Sequence, residues 1–545
     1  MAKPTSHGIN PGDPPAAAAP PQAAAPPTAA ASPSPAADKL GQARWWALAA
    51  ISASFLVVGL DSYIVVTALP TFSVRLGASE SQLQWITAAY TLAWAALLLP
   101  VGKLGDKLGR RKVLMAGLAL FGITSVVASQ ATTAGELIAL RAVMGAGAAV
   151  IMPMGMAIIP VLFPGGADRR RAVTVTTIGA VVSMPLGPLL GGWLLTHFAW
   201  GWIFLINAPV AALALLGVCL LVPESRDPAN PRLDWPGALL SAAAITGVVF
   251  AIIEEPAEGW RTPVLASLLG GLVLAGLFWL RQRASVAPLI DLQLFRNRLF
   301  SWGTAAFAVI SFAMTGVLFV LTPYLQSVLG NDAQGTGLRL LPMIGALIVA
   351  AAASESFGAR IGVRFVIPAA MVLSAAGLLV LARATATGGY GMVALALVIF
   401  GSGLGLGLPL SADAVLGTLP PHQAGAGTAL SRTVQSVGVA LGTAVLGSVL
   451  NSAYRNAVTG RLAALPPVAR NAVAGNAVAG NAVARNAAAA SIAGAHGVAA
   501  RLPAPAGRLL TQAANTAYAH GVAHATAVAA CLLVTGAILC AILLP

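Results

Sequence analysis

Long apolar stretches separated by short loops dominate this chain of 545 residues. Two of them, residues 82–101 and 113–131, flank a basic loop at 102–112, and each is about long enough to cross a bilayer as a helix. The loop carries five Lys and Arg residues, a concentration typical of the cytoplasmic side of a membrane. We therefore expect a hairpin of two membrane-spanning helices here, with its loop in the cytoplasm.

The composition extends this expectation to the whole chain. Hydrophobic residues make up 58% and charged residues 9%, and the mean hydropathy is +0.84, as in integral membrane proteins. The apolar stretches are continuous rather than alternating, which predicts an all-α polytopic membrane protein and not a β-barrel. The net charge of +14 is spread over short loops instead of forming one basic face. Nucleic acid is therefore not an expected partner.

Fourteen spans are predicted, in a pattern of six, two and six. The first six cover residues 45–70, 82–101, 113–131, 136–161, 172–196 and 200–222. Two shorter spans follow at 237–253 and 263–280. The last six cover 299–325, 336–357, 365–384, 389–411, 425–450 and 521–544. This divides the chain into a disordered Pro/Ala-rich tail (1–44), a six-helix bundle (45–222), two linker helices (223–298) and a second bundle (299–545) with a long extracytoplasmic loop at 451–520.

The basic residues test this topology. Nineteen of the 31 Lys and Arg residues lie on the side of the 102–112 loop, and four lie in the short loops of the other side. This bias predicts a multi-pass protein of the cytoplasmic membrane with both termini in the cytoplasm. The 451–520 segment contains a repeat, Asn-Ala-Val-Ala, that begins at Asn471, Asn476 and Asn481. Five residues advance a helix by roughly 500°, so the asparagines form no stripe, and we assign the repeat no function.

Two ionisable residues inside predicted spans are the main functional candidates, because such groups are costly in a membrane. Asp61 lies in the first span between apolar residues, where its carboxyl group should resist ionisation and exchange a proton when its surroundings change. The alternative is an acid that only pairs helices. Arg141, early in the fourth span, keeps its charge and must face a polar cavity or a partner, unless it reaches the membrane surface. A partner acid would have its proton equilibrium set by Arg141.

Other polar residues are weaker candidates. Glu355 and Asp413 lie near cytoplasmic span ends, where each is either a secondary proton or cation site or an interfacial charge. Glu254 and Glu255 are assigned to a hydrated outer loop. His520 and His524 are one helical turn apart, but without a carboxylate or cysteine beside them we expect an ordinary helix start and no metal site. No Gly-x-x-x-x-Gly-Lys-Ser/Thr motif occurs, so neither a nucleotide nor another cofactor is expected.

Several segments resemble motifs of the major facilitator superfamily. Residues similar to its motif A are Gly102, Asp106, Gly109, Arg110 and Arg111. Arg141, with Gly145 and Gly147, resembles motif B. Residues similar to motif C, the antiporter motif, are Pro185, Gly187, Pro188, Gly191 and Gly192. Leu60-Asp61 through Pro70 resembles the first-span motif of the fourteen-span drug:proton antiporters, and Trp202–Pro209 is a further match.

The resemblance implies the major facilitator fold, two six-helix bundles plus two inserted transmembrane helices. It implies proton-coupled efflux of lipophilic, cationic drugs by alternating access, with motif A as a cytoplasmic latch between the bundles. The partners would be a small-molecule substrate, protons and the lipid bilayer, and the oligomeric state is left open. Tyr63 and Val66 depart from the family pattern beside Asp61 and become candidate residues of the substrate cavity.

Two alternatives stay open at this point. A carrier of the same fold could export one endogenous metabolite or antibiotic. A non-transporting scaffold or membrane enzyme is the other, but the predicted spans show neither a metal-ligand cluster nor a nucleophile with its base, and catalysis is not expected.

Overall fold

A computed structural model describes residues 41–164, 166–226, 234–285, 292–385, 388–416, 424–463 and 488–544. The regular structure of these residues is entirely helical. The first half consists of α1 (Ala43–Arg75), α2 (Glu80–Leu108), α3 (Arg110–Ala128), α4 (Ala134–Leu162), α5 (Gly166–His197), the short α6 (Trp202–Leu205) and α7 (Asn207–Leu221). The linker hairpin consists of α8 (Trp235–Glu258) and α9 (Thr262–Ala284). The second half consists of α10 (Arg298–Pro323), α11 (Ala333–Ile361), α12 (Val363–Leu381), α13 (Tyr390–Leu416), α14 (Ala424–Ala463), α15 (Ile492–Ala499) and α16 (Ala504–Leu543).

The helices confirm a multi-pass, all-α membrane protein. Within the described ranges, twelve spans are long and apolar enough to cross a membrane, and α2 becomes the thirteenth if its two segments, which meet at a 51° bend before Pro100, form one span. The remaining predicted span, 172–196, lies on α5, whose 32 residues exceed the roughly 20 that a crossing needs. Fourteen spans therefore stay a prediction, because the count needs both the bent α2 and α5 to cross the membrane.

Polar residues at the helix starts explain where several elements begin. Ser79 and Gln82 form a reciprocal capping box before α2, and Thr133 and Glu136 form another before α4. Asp234 caps α8 by accepting a hydrogen bond from Gly237 N at 3.1 Å. Each cap satisfies backbone donors at a point where the chain leaves a loop and enters an apolar helix.

The helices pair mostly within each half. In the first half α1 packs on α5 and α7, and α4 packs on α2 and α3. In the second half α13 packs on α11 and α12, while α14 and α16 pack on each other and on α10. The linker helix α8 contacts both α2 and α14, so it bridges the two halves.

The two halves touch at one end of the molecule, which we call the Ser79 end; the opposite end is the Asp106 end. Gln326 Nε2 donates to Thr67 O at 2.9 Å, and Ser448 Oγ donates to Gln84 Oε1 at 3.3 Å. The start of α11 meets the end of α5 here as well. The Ser79 end is therefore closed in this conformation.

Two predicted boundaries are wrong. The segment 451–520 is not one long loop, because α14 continues to Ala463, α15 covers Ile492–Ala499, and α16 begins at Ala504. Alanine has the highest helix propensity, so the alanine-rich sequence on either side of the predicted loop continues these helices beyond their apolar spans. The linker spans are also longer than predicted, with 24 and 23 residues. Residues 1–40 of the predicted tail and the asparagines of the repeat lie outside the described residues.

Candidate functional site: a buried ion pair between α1 and α4

Asp61 and Arg141 form an ion pair in the interior of the first half. Asp61 is 0% exposed and Arg141 is 2% exposed. Arg141 Nη1 donates to Asp61 Oδ2, and Arg141 Nε donates to the backbone oxygen of Ile86 at 3.1 Å. The guanidinium carbon lies 4.1 Å from the ring centroid of Tyr90. One face and two edges of the guanidinium are thus occupied, which fixes its orientation against the carboxylate.

The second carboxylate oxygen of Asp61 binds Asn207, a residue to which sequence reasoning gave no role. Asn207 Nδ2 donates to Asp61 Oδ1 at 2.9 Å, and Asn207 is 1% exposed. The Oδ1 atom of Asn207 has no hydrogen-bond partner and is buried. The available signal was that Asn207 is the one amide side chain in the apolar stretch 202–222.

The ion pair bears on two expectations. Arg141 lies against Asp61, so the carboxyl group is not isolated in the span as the sequence suggested. Proton exchange at Asp61 stays a prediction. The interpretation of Arg141 as the group that sets the proton equilibrium of an acid stays a prediction, and the structure identifies the acid beside it as Asp61.

The motif A segment forms an ordered corner at the Asp106 end. Arg110 Nη2 donates to Asp106 Oδ1 at 2.8 Å, and Arg110 N donates to Ser225 O at 2.9 Å. Glu224, which the sequence did not single out, accepts a hydrogen bond from Arg111 N at 3.1 Å. These contacts are all made inside the first half, so the proposed latch function stays a prediction.

Gly109 and Gly102 differ sharply within motif A. Gly109 has φ +115°, and an added Cβ atom would lie 2.6 Å from Glu224 Oε1, whereas a Cβ atom at Gly102 would meet nothing within 4 Å. Of these two residues, only Gly109 has to be a glycine in this conformation.

The motif C glycines lie at two helix contacts. A Cβ atom at Gly187 would lie 2.4 Å from Tyr63 Cβ on α1, and one at Gly192 would lie 2.5 Å from Ala333 O on α11. Across the same contact, a Cβ atom at Gly337 would lie 2.6 Å from Pro188 O. Gly191 faces Ile64, and the side chain of Pro185 is outside the described part of the chain. Motif C thus allows α5 to approach both α1 and the second half.

The remaining candidates do not join the ion pair. Val66 is 8% exposed, and Tyr63 is half buried against α5, so their part in a substrate cavity stays a prediction. Glu355 and Asp413 are exposed and close enough to repel each other electrostatically. No group of three or more potential metal ligands occurs among the described residues.

Glu254 is placed wrongly by the sequence prediction. It belongs to α8 rather than to a loop, and its Oε1 atom accepts a hydrogen bond from Trp85 Nε1 at 2.8 Å. Ile252 O accepts a hydrogen bond from Ser448 Oγ at 2.5 Å. The end of α8 therefore lies between α2 and α14, where the two halves meet. Sequence reasoning could not detect this, because a single Glu pair at a span end looks like an ordinary hydrated boundary.

A helical membrane protein with two halves that close at one end, and with a buried ion pair in the first half, has the architecture of a secondary transporter. The chain belongs to the Major Facilitator Superfamily, whose family model matches residues 51–443. It is 30% identical to "Multidrug efflux pump LfrA" of Mycolicibacterium smegmatis, over 90% of this chain and 95% of that protein. It is 31% identical to "Tetracenomycin C resistance and export protein" of Streptomyces glaucescens, over 75% of this chain and 76% of that protein.

A solved structure shows the same fold. It is a bacterial homologue of the human lysosomal transporter Spinster in an inward-facing, unoccupied conformation, with a TM-score of 0.63. The alignment covers 92% of this chain and 96% of that chain at 14% sequence identity, so the likeness concerns the fold alone.

Proposed function

We propose that the protein is a proton-coupled antiporter that exports lipophilic, cationic compounds across the cytoplasmic membrane. The observation that carries the proposal is the buried ion pair of Asp61 and Arg141, with Asn207 on the second oxygen. A proton that neutralises Asp61 removes the partner of Arg141, so protonation and the packing of α1 against α4 are coupled. No chemical change of the substrate is part of the proposal.

The similarity to named exporters supports the direction and the type of substrate. One relative is named as a multidrug efflux pump, and it matches nearly the full length of both chains. In this proposal the substrate enters from the cytoplasm, and a proton moves in the opposite direction through Asp61. When Asp61 is protonated, Arg141 can bind another group. This change of partner couples proton entry to substrate export.

The charge bias supports the orientation. The Asp106 end, with its basic loop, faces the cytoplasm in our proposal, and the Ser79 end faces outward. Both termini are then cytoplasmic. The first and second halves act as the two bundles that rock around a central site, and this conformation has its outer end closed. Asp106 and Arg110 would join the halves only after the outer end opens.

A narrower exporter is the second candidate. A relative named for resistance to, and export of, tetracenomycin C matches at almost the same identity as the multidrug pump. Tyr63 and Val66 give the surroundings of Asp61 a less polar character than the Thr and Asn usual in the family. A panel of dyes and quaternary ammonium compounds separates the two candidates, because only a multidrug exporter transports several unrelated members.

The test is proton-driven efflux of a fluorescent lipophilic cation from proteoliposomes, with and without a pH gradient. We expect Asp61→Asn to abolish gradient-driven efflux while the protein remains folded in the membrane. Asp168→Asn is the matched control, since it removes an acid that pairs with Arg44 at 2.9 Å near the surface. Wild-type efflux by Asp61→Asn would overturn the assignment of the proton site.

A further inference from the structure

Glu80 is a second buried acid, and it lies where the two halves meet. It is the first residue of α2 and is 5% exposed. Its Oε1 atom is buried and has no hydrogen-bond partner. Glu80 takes part in none of the ion pairs found among the described residues. Unlike Asp61, this carboxyl group has no ion-pair partner in the part of the chain that the structure describes.

The start of α2 does not supply the missing partner. The capping box before the helix uses Ser79 Oγ as the acceptor for Gln82 N and Gln82 Oε1 as the acceptor for Ser79 N, at 3.3 and 3.0 Å. The cap is therefore complete without the Glu80 side chain. The carboxyl group lies close enough to Tyr454 of α14 and Tyr518 of α16, in the second half, to interact with them electrostatically.

The two tyrosines lie near Glu80, but their hydroxyl groups donate hydrogen bonds to backbone oxygens. Tyr454 of α14 donates from Oη to Ala488 O at 2.8 Å, and Tyr518 of α16 donates to Val320 O at 3.3 Å. Both hydroxyl protons are therefore used in bonds to backbone oxygens, and neither tyrosine donates a hydrogen bond to Glu80. A neutral Glu80 therefore fits this site, and a carboxylate does not.

Two further polar side chains, one on α2 and one on α14, have buried atoms without hydrogen-bond partners. Gln84 is 0% exposed and Asn451 is 2% exposed. The Nε2 atom of Gln84 and the Oδ1 atom of Asn451 are both buried without partners. Gln84 reaches across to Ser448 of α14, so these side chains separate from each other when the halves part. Opening of this end would expose Glu80 to water.

We propose that Glu80 is a proton-binding site of the outer gate, which takes up a proton from the outer solution when the Ser79 end closes and releases it when that end opens. Closing the gate transfers the carboxyl group from water to a site without a cation, and the neutral form avoids the cost of a buried charge. Alkaline outer solution therefore holds the gate open, and acidic outer solution favours closure.

This role differs from that of Asp61. The Glu80 proton enters from and returns to the same side, so it adds nothing to the number of protons exchanged per substrate. The proposal rests on the orientation given under the proposed function, but not on the coupling role of Asp61. Two further ionisable groups contact this part of α2 in the described residues: Glu254 of α8 is bound to Trp85, and Arg141 of α4 is bound to Asp61 and to Ile86 O.

Gate opening can be measured without transport. A cysteine in place of Ala444, which is 0% exposed in the α2–α8–α14 contact, reacts with a membrane-impermeant maleimide only when the outer end opens. The full-length protein is used, with Cys219, Cys531 and Cys540 replaced by alanine. Labelling in proteoliposomes is followed as the outer pH rises from about 4.5 to 8, with the inner pH fixed. Rates are divided by those of a permanently exposed cysteine at Gly460, to remove the effect of pH on thiol reactivity.

We expect the corrected labelling rate to rise with outer pH, by up to about tenfold per pH unit where one proton is released. Glu80→Gln should give a low rate that does not depend on pH, because the neutral amide keeps the gate closed. Glu254→Gln is the matched control and should keep the wild-type slope. The proposal is overturned if the wild type shows no slope, if Glu80→Gln keeps it, or if only Glu254→Gln loses it. Loss of efflux in Asp61→Asn leaves all of these outcomes unchanged, so the two proposals fail separately.

Discussion

The side-chain amide of Asn207 donates a hydrogen bond to Asp61 Oδ1 at 2.9 Å, between residues 146 positions apart in the chain. Asp61 therefore has one oxygen on an uncharged donor and the other on Arg141. The amide can bind the carboxyl group in both protonation states, whereas the guanidinium requires the charge. In the proposed mechanism Asn207 holds Asp61 in place while Arg141 changes partners, so we regard Asn207 as a positioning residue.

Replacing Asn207 tests this interpretation. We expect Asn207→Ala to lower the initial rate of gradient-driven efflux by about tenfold, because a hydrogen bond to a charged group contributes roughly 1.5–3 kcal/mol. The KM for the exported cation should change little, since Asn207 is buried and does not face substrate. Asn515→Ala, which removes a bond to His496 at 2.7 Å far from Asp61, is the control. A raised KM with an unchanged maximal rate would contradict a positioning role.

The ion pair predicts a strong energetic coupling between Asp61 and Arg141. Either Asp61→Asn or Arg141→Gln leaves one buried group without its partner, which costs about 3–5 kcal/mol in comparable sites. The double variant leaves no unpaired charge, so it should be more stable than the sum of the two single effects predicts. Thermal unfolding of the four proteins in detergent measures this. Additive changes in stability would show that the pair is not coupled.

Local patterns made most of the fold predictable. Hydropathy and loop charge act along the chain, so most of the spans, the helical class and the two candidates Asp61 and Arg141 could be derived from the sequence, but not the contact between them. Contacts between distant helices could not. Asn207, Glu224 and the bond from Trp85 to Glu254 depend on which helices pack together, and no periodic pattern encodes that. The Glu80 site was missed for the same reason, because an acid in the first turn of a helix is normally a hydrated capping residue.

Gly192 should be essential for closing the Ser79 end. An added Cβ atom would lie 2.5 Å from Ala333 O, and backbone on both sides leaves no flexible atom to move. We expect Gly192→Ala to lose most of its efflux and to raise maleimide labelling of the Ala444→Cys reporter. Gly345→Ala is the control, because nothing lies within 4 Å of that position. It should keep full efflux and gain up to about 1 kcal/mol of helix stability. Equal activity of the two variants would disprove a close α5–α11 contact in the working protein.

Gly102 and Gly109 of motif A should respond differently to replacement by alanine. Gly109→Ala forces a side chain into a conformation at φ +115° and against the Glu224 carboxylate, so membrane yield and efflux should both fall. Gly102→Ala meets no neighbour in this conformation, in which the Ser79 end is closed, and should reach the membrane normally. If Gly102→Ala nevertheless loses efflux with normal yield, the glycine is needed when the opposite conformation forms. A loss of yield for Gly102→Ala and not for Gly109→Ala would contradict the structure.

The linker hairpin gives a prediction for pH. Asp234 accepts hydrogen bonds from Arg281 at 2.8 and 2.6 Å. Burial alone would raise the pKa of Asp234, but the hydrogen bonds from Arg281, Gly237 and Gln282 outweigh it and hold the pKa below its ordinary value. A lowered pKa in the folded state stabilises the protein above the unfolded-state pKa, and this stabilisation is lost as the pH falls through the folded-state value.

Asp234→Asn should therefore unfold at a lower temperature than the wild type by the same margin at pH 7 and at pH 5. The margin should begin to shrink below about pH 4, where the unfolded chain takes up a proton at this carboxyl group, and it should keep shrinking until the pH falls below the lowered folded-state pKa. Arg281→Gln should reproduce this pH profile, because it removes the main hydrogen-bond donor to Asp234. Arg283→Gln is the matched control, since Arg283 stacks on Trp279 at 5.1 Å. Thermal unfolding in detergent at each pH measures the margins, and a margin that widens toward acid would reverse the sign derived for Asp234.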